Sequence, residues 1–222
     1  MAITQTIEEL RSILCSKNIE LNRAQLSVFK QQPVNYVDHL NIAIEQMAHS
    51  NIAAFILLSD QQNHLAAMSF IRMHLDCLLK LFSTFIIKEK ETWISSLLYA
   101  EDKNWKKKIK INEKKKALTD KFLCEQLESQ GYFARASELY KYSCDFIHPS
   151  DKHFSSAIRE WIILPDKTVQ WKTMINIFGI TEISEDIIKS NYICMLEITD
   201  CIIRYIKLTK TQTLNFIQFE LA

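Results

Sequence analysis

Two histidines, His148 and His153, flank a proline at the end of a helical pattern in the stretch ELYKYSCDFIHPSDKHF, residues 138–154. Pro149 disfavours the α conformation of the residue before it, so the helix is expected to end or kink at His148. The unpaired carbonyl groups at a helix C-terminus carry partial negative charge, which favours the protonated imidazole. The pattern therefore predicts that His148 acts as a proton donor or a cationic anchor.

A second set of ionisable side chains lies in a predicted helix over residues 59–88, where a polar stripe interrupts a wide apolar arc. Arg72 and Asp76 stand four residues apart in that stripe and can pair along the helix. The stripe fits either a solvated face or a polar site between helices. The apolar arc is wide enough to pack on two neighbours, which is typical of a central bundle helix.

These two sets together contain the groups needed to cleave a phosphodiester of RNA. One group would activate the ribose hydroxyl, another would protonate the leaving oxygen, and the cation would stabilise the extra negative charge. The candidate catalytic residues are His148, His153, Arg72 and Asp76. This chemistry needs no metal and no cofactor. The alternative is that both histidines are structural, with their ring nitrogens bonded to the backbone or to neighbouring helices.

A metal site is the other chemistry that the histidine stretch suggests, because Cys144 and His148 lie four residues apart, with Asp151 and His153 nearby. Zinc sites use three or four such ligands in a recurring close spacing, and no second ligand pair matches this one. We therefore expect no metal. Nucleophile elbows and phosphate-cradling loops need glycines at set positions, and the whole chain has two glycines.

Eight lysines crowd into residues 103–116, with Trp105 among them. Such a cluster can bind phosphate groups, because each lysine that neutralises a phosphate releases a counterion. A solvated, mobile connection between helices is the alternative. The candidate nucleic-acid-binding residues are Lys106, Lys107, Lys108, Lys110, Lys114, Lys115 and Lys116. The cluster ends at Thr119 and Asp120, which are candidates for the N-cap of a following helix.

The composition favours a helical fold. The chain has 222 residues, with 2 glycines and 3 prolines, which leaves little of the turn chemistry that many-stranded folds require. We expect a mainly all-α protein, a bundle of about five to seven helices, with one small β-hairpin near residues 160–175 around Pro165. The 27 basic and 26 acidic residues balance, so an electrostatic function must come from local clustering.

The length suits a single domain over residues 1–222. Within it we expect N-terminal helices over 1–32, as two pieces at 6–16 and 21–30, and a core bundle over 33–154. A hairpin insertion over 155–183 and a C-terminal helix and tail over 184–222 follow. The tail is apolar enough to dock, on a partner chain for example.

The cysteines and the apolar segments predict a cytoplasmic protein. None of the six cysteines belongs to a CxxC pair and each falls in an apolar helical context, so we expect buried, reduced thiols. The first residues lack the basic start and apolar run of a secretory signal. The longest apolar run, Ile52–Leu58, is far shorter than the roughly 18 residues that cross a bilayer. No membrane partner is expected.

Three segments together resemble a group of uncharacterised bacterial helical proteins that looks like a distant branch of the HEPN superfamily, the higher eukaryote and prokaryote nucleotide-binding helical domains. The segments are SFIRMHLDCLLKLF (69–82), ALTDKFLCEQL (117–127) and LYKYSCDFIHPSDKHF (139–154), and the resemblance covers about residues 42–154. It implies a helical bundle that dimerises, and hence a homodimer. Many members of the superfamily are metal-independent ribonucleases of toxin or phage-defence systems.

The family's hallmark is an arginine four to six residues before a histidine on a late helix, and His148 matches that histidine. No arginine stands in that range, and Lys141 lies one residue outside it. We hypothesise that Arg72, on the central helix, replaces the missing cation.

Two functions of different classes follow from these patterns. The first is a HEPN-like module that binds RNA or cleaves it without a metal, with the lysine cluster steering the nucleic acid. The second is a non-catalytic helical interaction or scaffold protein, in which His148 and Arg72 brace the bundle.

Overall fold

The computed structural model of the chain describes residues 4–29, 36–99, 108–111, 114–131, 133–144, 158–173, 183–211 and 219–221. The helices within these ranges are α1 (Ile7–Phe29), α2 (Tyr36–Asp60), α3 (His64–Ile86), α4 (Lys90–Leu98), α5 (Asp120–Ser129), α6 (Ala136–Cys144) and α7 (Glu185–Thr211). The strands there are β1 (Lys108–Ile111), β2 (Lys114–Ala117), β3 (Ile158–Ile163), β4 (Val169–Thr173) and β5 (Glu220–Leu221). The predicted mainly all-α bundle is confirmed.

The central element is α3, which packs against α2, α4, α5, α6 and α7. Its apolar residues cover most of the helix circumference, and Ile71, Leu75 and Phe82 are fully buried. The Asn63 side chain caps its first turn by accepting a hydrogen bond from the Ala66 amide at 3.3 Å. Gln62 adopts a left-handed conformation (φ 58°) between α2 and α3. Helix α3 therefore begins at His64, a few residues after the predicted start at residue 59.

The expected break in the first helix was wrong, because α1 runs without interruption from Ile7 to Phe29. Leu10, Leu14 and Leu21 are fully buried and continue one helical face, which packs against α7 and α2. Burial of that face holds the helix together across residues 17–20, where the local apolar pattern is weak.

Two hairpins accompany the bundle in the described residues, although the sequence predicted one. The predicted hairpin is confirmed as β3 and β4, with Trp161 paired to Trp171 and a left-handed Lys167 (φ 65°) in its turn. The second hairpin, β1 and β2, lies in the lysine cluster, for which a solvated connection was the alternative. Its Lys-Ile-Lys-Ile run alternates with the period of a strand.

The β1–β2 hairpin gains a third strand, β5, in the order β2-β1-β5. This strand comes from the C-terminal tail, which the sequence predicted to be apolar enough to dock. Phe219 pairs with Ile87 at the end of α3, and β5 pairs with β1, so the tail docks within its own chain. Docking on a partner chain stays a prediction.

All six cysteines are free thiols. Four are buried, Cys144 is half-buried and Cys15 is exposed, so the expectation of burial was wrong for Cys15. Burial raises the pKa of Cys124 to about 12 and that of Cys77 to about 11. These two thiols are therefore protonated, apolar packing groups at neutral pH.

Among the described helices, α2 is the one whose length and composition would allow it to cross a membrane. It carries the buried polar residues Asp38, Asn41, Glu45 and Asn51, and it packs against α1, α3, α4 and α7. Buried acidic side chains are costly in hydrocarbon, so this composition is typical of a core helix in a bundle. The absence of a membrane partner stays a prediction.

One histidine lies in the middle of the core. His74 of α3 is fully buried, and its Nε2 lies 2.9 Å from the Thr199 hydroxyl of α7. That hydroxyl already donates to the Met195 carbonyl, so it accepts from His74. Burial lowers the pKa of His74 to about 3, with a smaller contribution from the charge of His49.

His74 should make the protein less stable in acid. The unfolded chain takes up a proton at this side chain below pH ~6.5 and the folded chain does not, so this group lowers the free energy of unfolding by about 1.4 kcal/mol per pH unit down to pH ~3. His74→Gln keeps a hydrogen-bond donor for Thr199 but does not titrate. The free energy of unfolding of this variant should therefore fall less steeply between pH 6 and pH 4, by about that amount per pH unit. Urea unfolding of both proteins at several pH values measures it, and equal slopes would contradict the assignment.

Candidate functional site

Arg72, the predicted cation, is buried where α3, α5 and α6 meet. Its side chain is 7% exposed, and the guanidinium forms an ion pair with Asp76 of α3 and a second one, Nη2 to Oδ2 at 2.8 Å, with Asp120 of α5. Its Cζ atom lies 4.4 Å from the ring centroid of Tyr140 on α6. Arg72 therefore points into a polar site between helices and does not lie on a solvated face.

The first turn of α5 presents Asp120 to Arg72. The Thr119 side chain accepts a hydrogen bond from the Phe122 amide at 3.2 Å, so Thr119 is the N-cap, as its position in the sequence predicted. A carboxylate in the next position also interacts favourably with the positive end of the helix. The cap thus fixes where α5 begins and which residue reaches Arg72.

A second helix supplies the ring that covers the guanidinium. Ala136, Leu139 and Ser143 of α6 are buried, so the helix lies with that face on the bundle. Tyr140, next to Leu139, then reaches Arg72 and stacks its ring on the planar guanidinium. Burial raises the pKa of Tyr140, the Cys144 thiol adds to this effect, and Arg72 opposes it. Tyr140 is therefore a neutral stacking partner at pH 7.

The charges in this cluster do not leave Arg72 free. One guanidinium faces two carboxylates, so the three groups carry a formal charge of −1. A phosphate would have to displace one carboxylate to reach Arg72. Asp120 is the more accessible of the two, with a side chain 49% exposed against 33% for Asp76.

The other predicted catalytic residues, His148 and His153, lie outside the described residues, as do Lys106 and Lys107 of the lysine cluster. The described residues of α6 extend to Cys144. The structure thus brings Arg72 and Asp76 together, and the wider site that includes the histidines stays a prediction.

Metal chemistry finds no support in the described part of the chain, where no group of three or more His, Cys, Asp or Glu side chains could hold an ion. Of the four residues that the sequence suggested as ligands, only Cys144 is described. The expected absence of a metal stays a prediction.

The lysine cluster forms a second charged surface, which we call the lysine ribbon and define as strands β1 and β2. Residues directly opposite each other in an antiparallel pair share one face of a sheet. The register pairs Lys110 with Lys115 and Lys108 with Ala117, so one face holds three lysine positions. The other face holds Lys116 paired with Ile109 and Lys114 paired with Ile111.

The two faces of the ribbon have different neighbours. The Lys116 ammonium lies 4.8 Å from the ring centroid of Phe122 on α5, so its face turns toward the bundle there. The face with positions 108, 110 and 115 is the opposite one, and Lys115 is exposed. Sequence reasoning found these lysines but not the strands that arrange them, although the alternation of lysine and isoleucine was the available signal.

Sequence reasoning also missed Asp120 and Tyr140 as partners of Arg72. Asp120 was recognised only as a residue of a helix start. It lies 48 positions from Arg72, and no local pattern links residues that far apart.

The chain matches no protein family model, no curated protein and no solved structure.

Removal of Arg72 should destabilise the bundle more than removal of the Asp120 carboxylate. Arg72→Ala should cost about 3 kcal/mol, because it leaves a cavity between α3, α5 and α6 and two carboxylates without their cation. Asp120→Asn should cost about 1 kcal/mol or less, because that carboxylate is half-exposed and screened by water. Guanidinium chloride unfolding measures both values.

A matched control is Arg11→Ala, because Arg11 of α1 pairs with Asp60 at 3.0 Å and its side chain is 36% exposed, against 7% for Arg72. It should lose less stability than Arg72→Ala. Equal losses for the two arginines would show that the buried cluster does not brace the helices.

Proposed function

We propose that this protein is a HEPN-like RNA-binding module, and that the lysine ribbon is its nucleic-acid-binding surface. The observation that carries the proposal is the direct pairing of Lys110 with Lys115 across β1 and β2. RNA cleavage, a place in a bacterial toxin or phage-defence system and a homodimer belong to the same proposal through the family resemblance. A cytoplasmic location belongs to it through the cysteines and the short apolar runs of the sequence.

Like charges directly opposite each other destabilise a sheet. A hairpin with lysines at five of eight positions is also a poor choice for stability alone, since short two-stranded ribbons are marginal in water. An anion that lies across the ribbon removes this repulsion. The arrangement is therefore better explained by a polyanionic ligand than by packing.

A nucleic acid backbone fits such a surface. Three lysine positions on one face, on two strands roughly 4.8 Å apart, can contact successive phosphates of one strand. Lysines act as point charges and release counterions, so they give affinity without reading base sequence. Binding of single-stranded RNA with weak sequence preference is the expected activity.

The Arg72 cluster favours a second candidate function, a non-catalytic helical interaction protein. Arg72 is occupied by Asp76 and Asp120 and covered by Tyr140, which suits a brace between helices. Catalysis with Arg72 as the cation requires that an RNA phosphate replace Asp120. The two candidates therefore differ in whether Arg72 exchanges partners.

The lysine pair can be tested with a labelled, unstructured 20-nucleotide RNA and fluorescence anisotropy over a range of salt concentrations. Lys110→Gln with Lys115→Gln should weaken binding at least tenfold and reduce the magnitude of the salt slope by about 1.4, or roughly 0.7 for each phosphate that a lysine no longer neutralises. Lys115→Gln alone should leave the folded protein as stable as before or more stable, because the like-charge pair is gone.

The matched control is Lys167→Gln with Arg204→Gln, which removes two exposed cations outside the ribbon. It should leave both affinity and salt slope unchanged. If the ribbon variant loses no more affinity than this control, or if the wild-type protein does not bind RNA at low salt, the proposal is wrong.

Cleavage is tested separately, with total RNA in EDTA and the variants His148→Ala and Arg72→Lys. If the protein is a HEPN-like ribonuclease, the wild type cleaves and His148→Ala does not. Arg72→Lys should reduce the rate while it retains the charge, because a lysine cannot form the bidentate contact of arginine. If the proteins bind RNA and none of them cleaves it, the protein is an RNA-binding module without catalytic activity. Cleavage that survives His148→Ala contradicts the role of that histidine.

A further inference from the structure

The lysine ribbon is connected to the helical bundle through residues 219–221, which we call the anchor segment. On one side, the Phe219 amide donates to the Ile86 carbonyl at 2.6 Å, and the Lys88 amide donates to the Phe219 carbonyl at 2.9 Å. On the other side, β5 pairs with β1. The segment therefore lies between the end of α3 and the ribbon and bonds to both.

Side chains strengthen the attachment of the anchor segment to the bundle. The Phe219 ring packs on the core and meets the ring of Phe122 edge to face, with centroids 5.4 Å apart. The Glu220 carboxylate accepts from the Lys88 ammonium at 2.9 Å. Phe122 also lies under Lys116 of the ribbon, so the ring of one α5 residue contacts both the anchor segment and β2.

The register extends the row of charges across the third strand. Glu220 is paired with Lys110, which is paired with Lys115, so the three positions form one row across the sheet. Lys88 closes the row through its ion pair with Glu220. The row of paired positions thus contains two lysines and one glutamate, and the glutamate forms an ion pair with Lys88.

We propose that the anchor segment positions the lysine ribbon on the bundle, with Phe219 and Glu220 as the positioning residues, so that RNA binding depends on it. This rests on the function proposed above. A two-stranded hairpin alone is marginally stable, and this one carries repelling lysines. A third strand tied to α3 supplies backbone hydrogen bonds and an apolar anchor, which keep the lysines in one arrangement before RNA arrives. An ordered site avoids the ordering cost that a mobile segment incurs on binding.

The test uses the full chain and two readouts, hydrogen exchange of the ribbon amides and affinity for the labelled 20-nucleotide RNA. Phe219→Ala should speed exchange at residues 108–111 and 114–117 at least tenfold while the helices keep their protection. RNA affinity should fall about tenfold with the salt slope unchanged, because every lysine is still present. The unchanged salt slope distinguishes a ribbon whose lysines are no longer held in place from a ribbon that has lost lysines.

Phe70→Ala is the control, because it also removes a half-buried phenylalanine but lies far from the anchor segment. Phe70 is on α3, about 24 Å along the helix from Ile86, the residue that bonds to Phe219. It should leave exchange in the ribbon unchanged.

A second variant tests the anchor segment without creating a cavity. Lys88→Glu should speed exchange of β1 through repulsion from Glu220. The double variant Lys88→Glu with Glu220→Lys should restore only part of the protection, because it re-forms the ion pair but places a cation opposite Lys110.

The results separate this proposal from the one on which it rests. If ribbon exchange is unchanged in Phe219→Ala and in Lys88→Glu, the anchor segment does not position the ribbon, whatever the RNA result. If exchange rises and RNA affinity stays the same, the dependence of binding on the anchor is overturned. If the wild type binds no RNA, the proposed function fails while exchange still decides whether the segment positions the ribbon.

Discussion

The buried guanidinium of Arg72 is the interaction on which the arrangement of α3, α5 and α6 depends. A charge out of water is tolerated only when it is paired and hydrogen-bonded. Asp76 on the same helix and Asp120 on α5 supply the pairing, and Tyr140 on α6 covers the flat face. Each partner comes from a different place along the chain, so the charge can be satisfied only when the three helices meet in one geometry.

The two charged regions of the protein have opposite characters. Around Arg72 the acidic groups outnumber the cation, and the guanidinium itself is buried between helices. In the lysine ribbon, positions occupied by lysine are paired across two strands, and Lys115 is exposed to solvent. A closed, compensated cluster braces a fold, whereas an open and repelling one is suited to an anionic ligand. In the proposed function, the lysine ribbon binds the RNA and Arg72 holds the helices of the bundle together.

Much of the fold could be predicted from short-range patterns, and the candidate site only in part. Thr119 signals the start of α5 through its position before an apolar pattern, and the structure confirms this cap. Cys15 shows the limit of such patterns, because its apolar surroundings in the sequence suggested burial and the helix turns it outward. The stripe containing Arg72 fitted two interpretations, since the spacing of polar residues on a helix does not say what packs against it.

The sequence by itself determined the helical class, the central place of α3, the β3–β4 hairpin and the N-cap of α5. Each depends on periodicity or on residues within a few positions, and local energetics decide it. Only the tertiary structure decided that Asp120, 48 positions away, holds Arg72, and that Glu220, 132 positions from Lys88, anchors the ribbon. Contacts between distant residues form because whole helical faces bury apolar surface together, and that process leaves no local signal in the residues that it brings into contact.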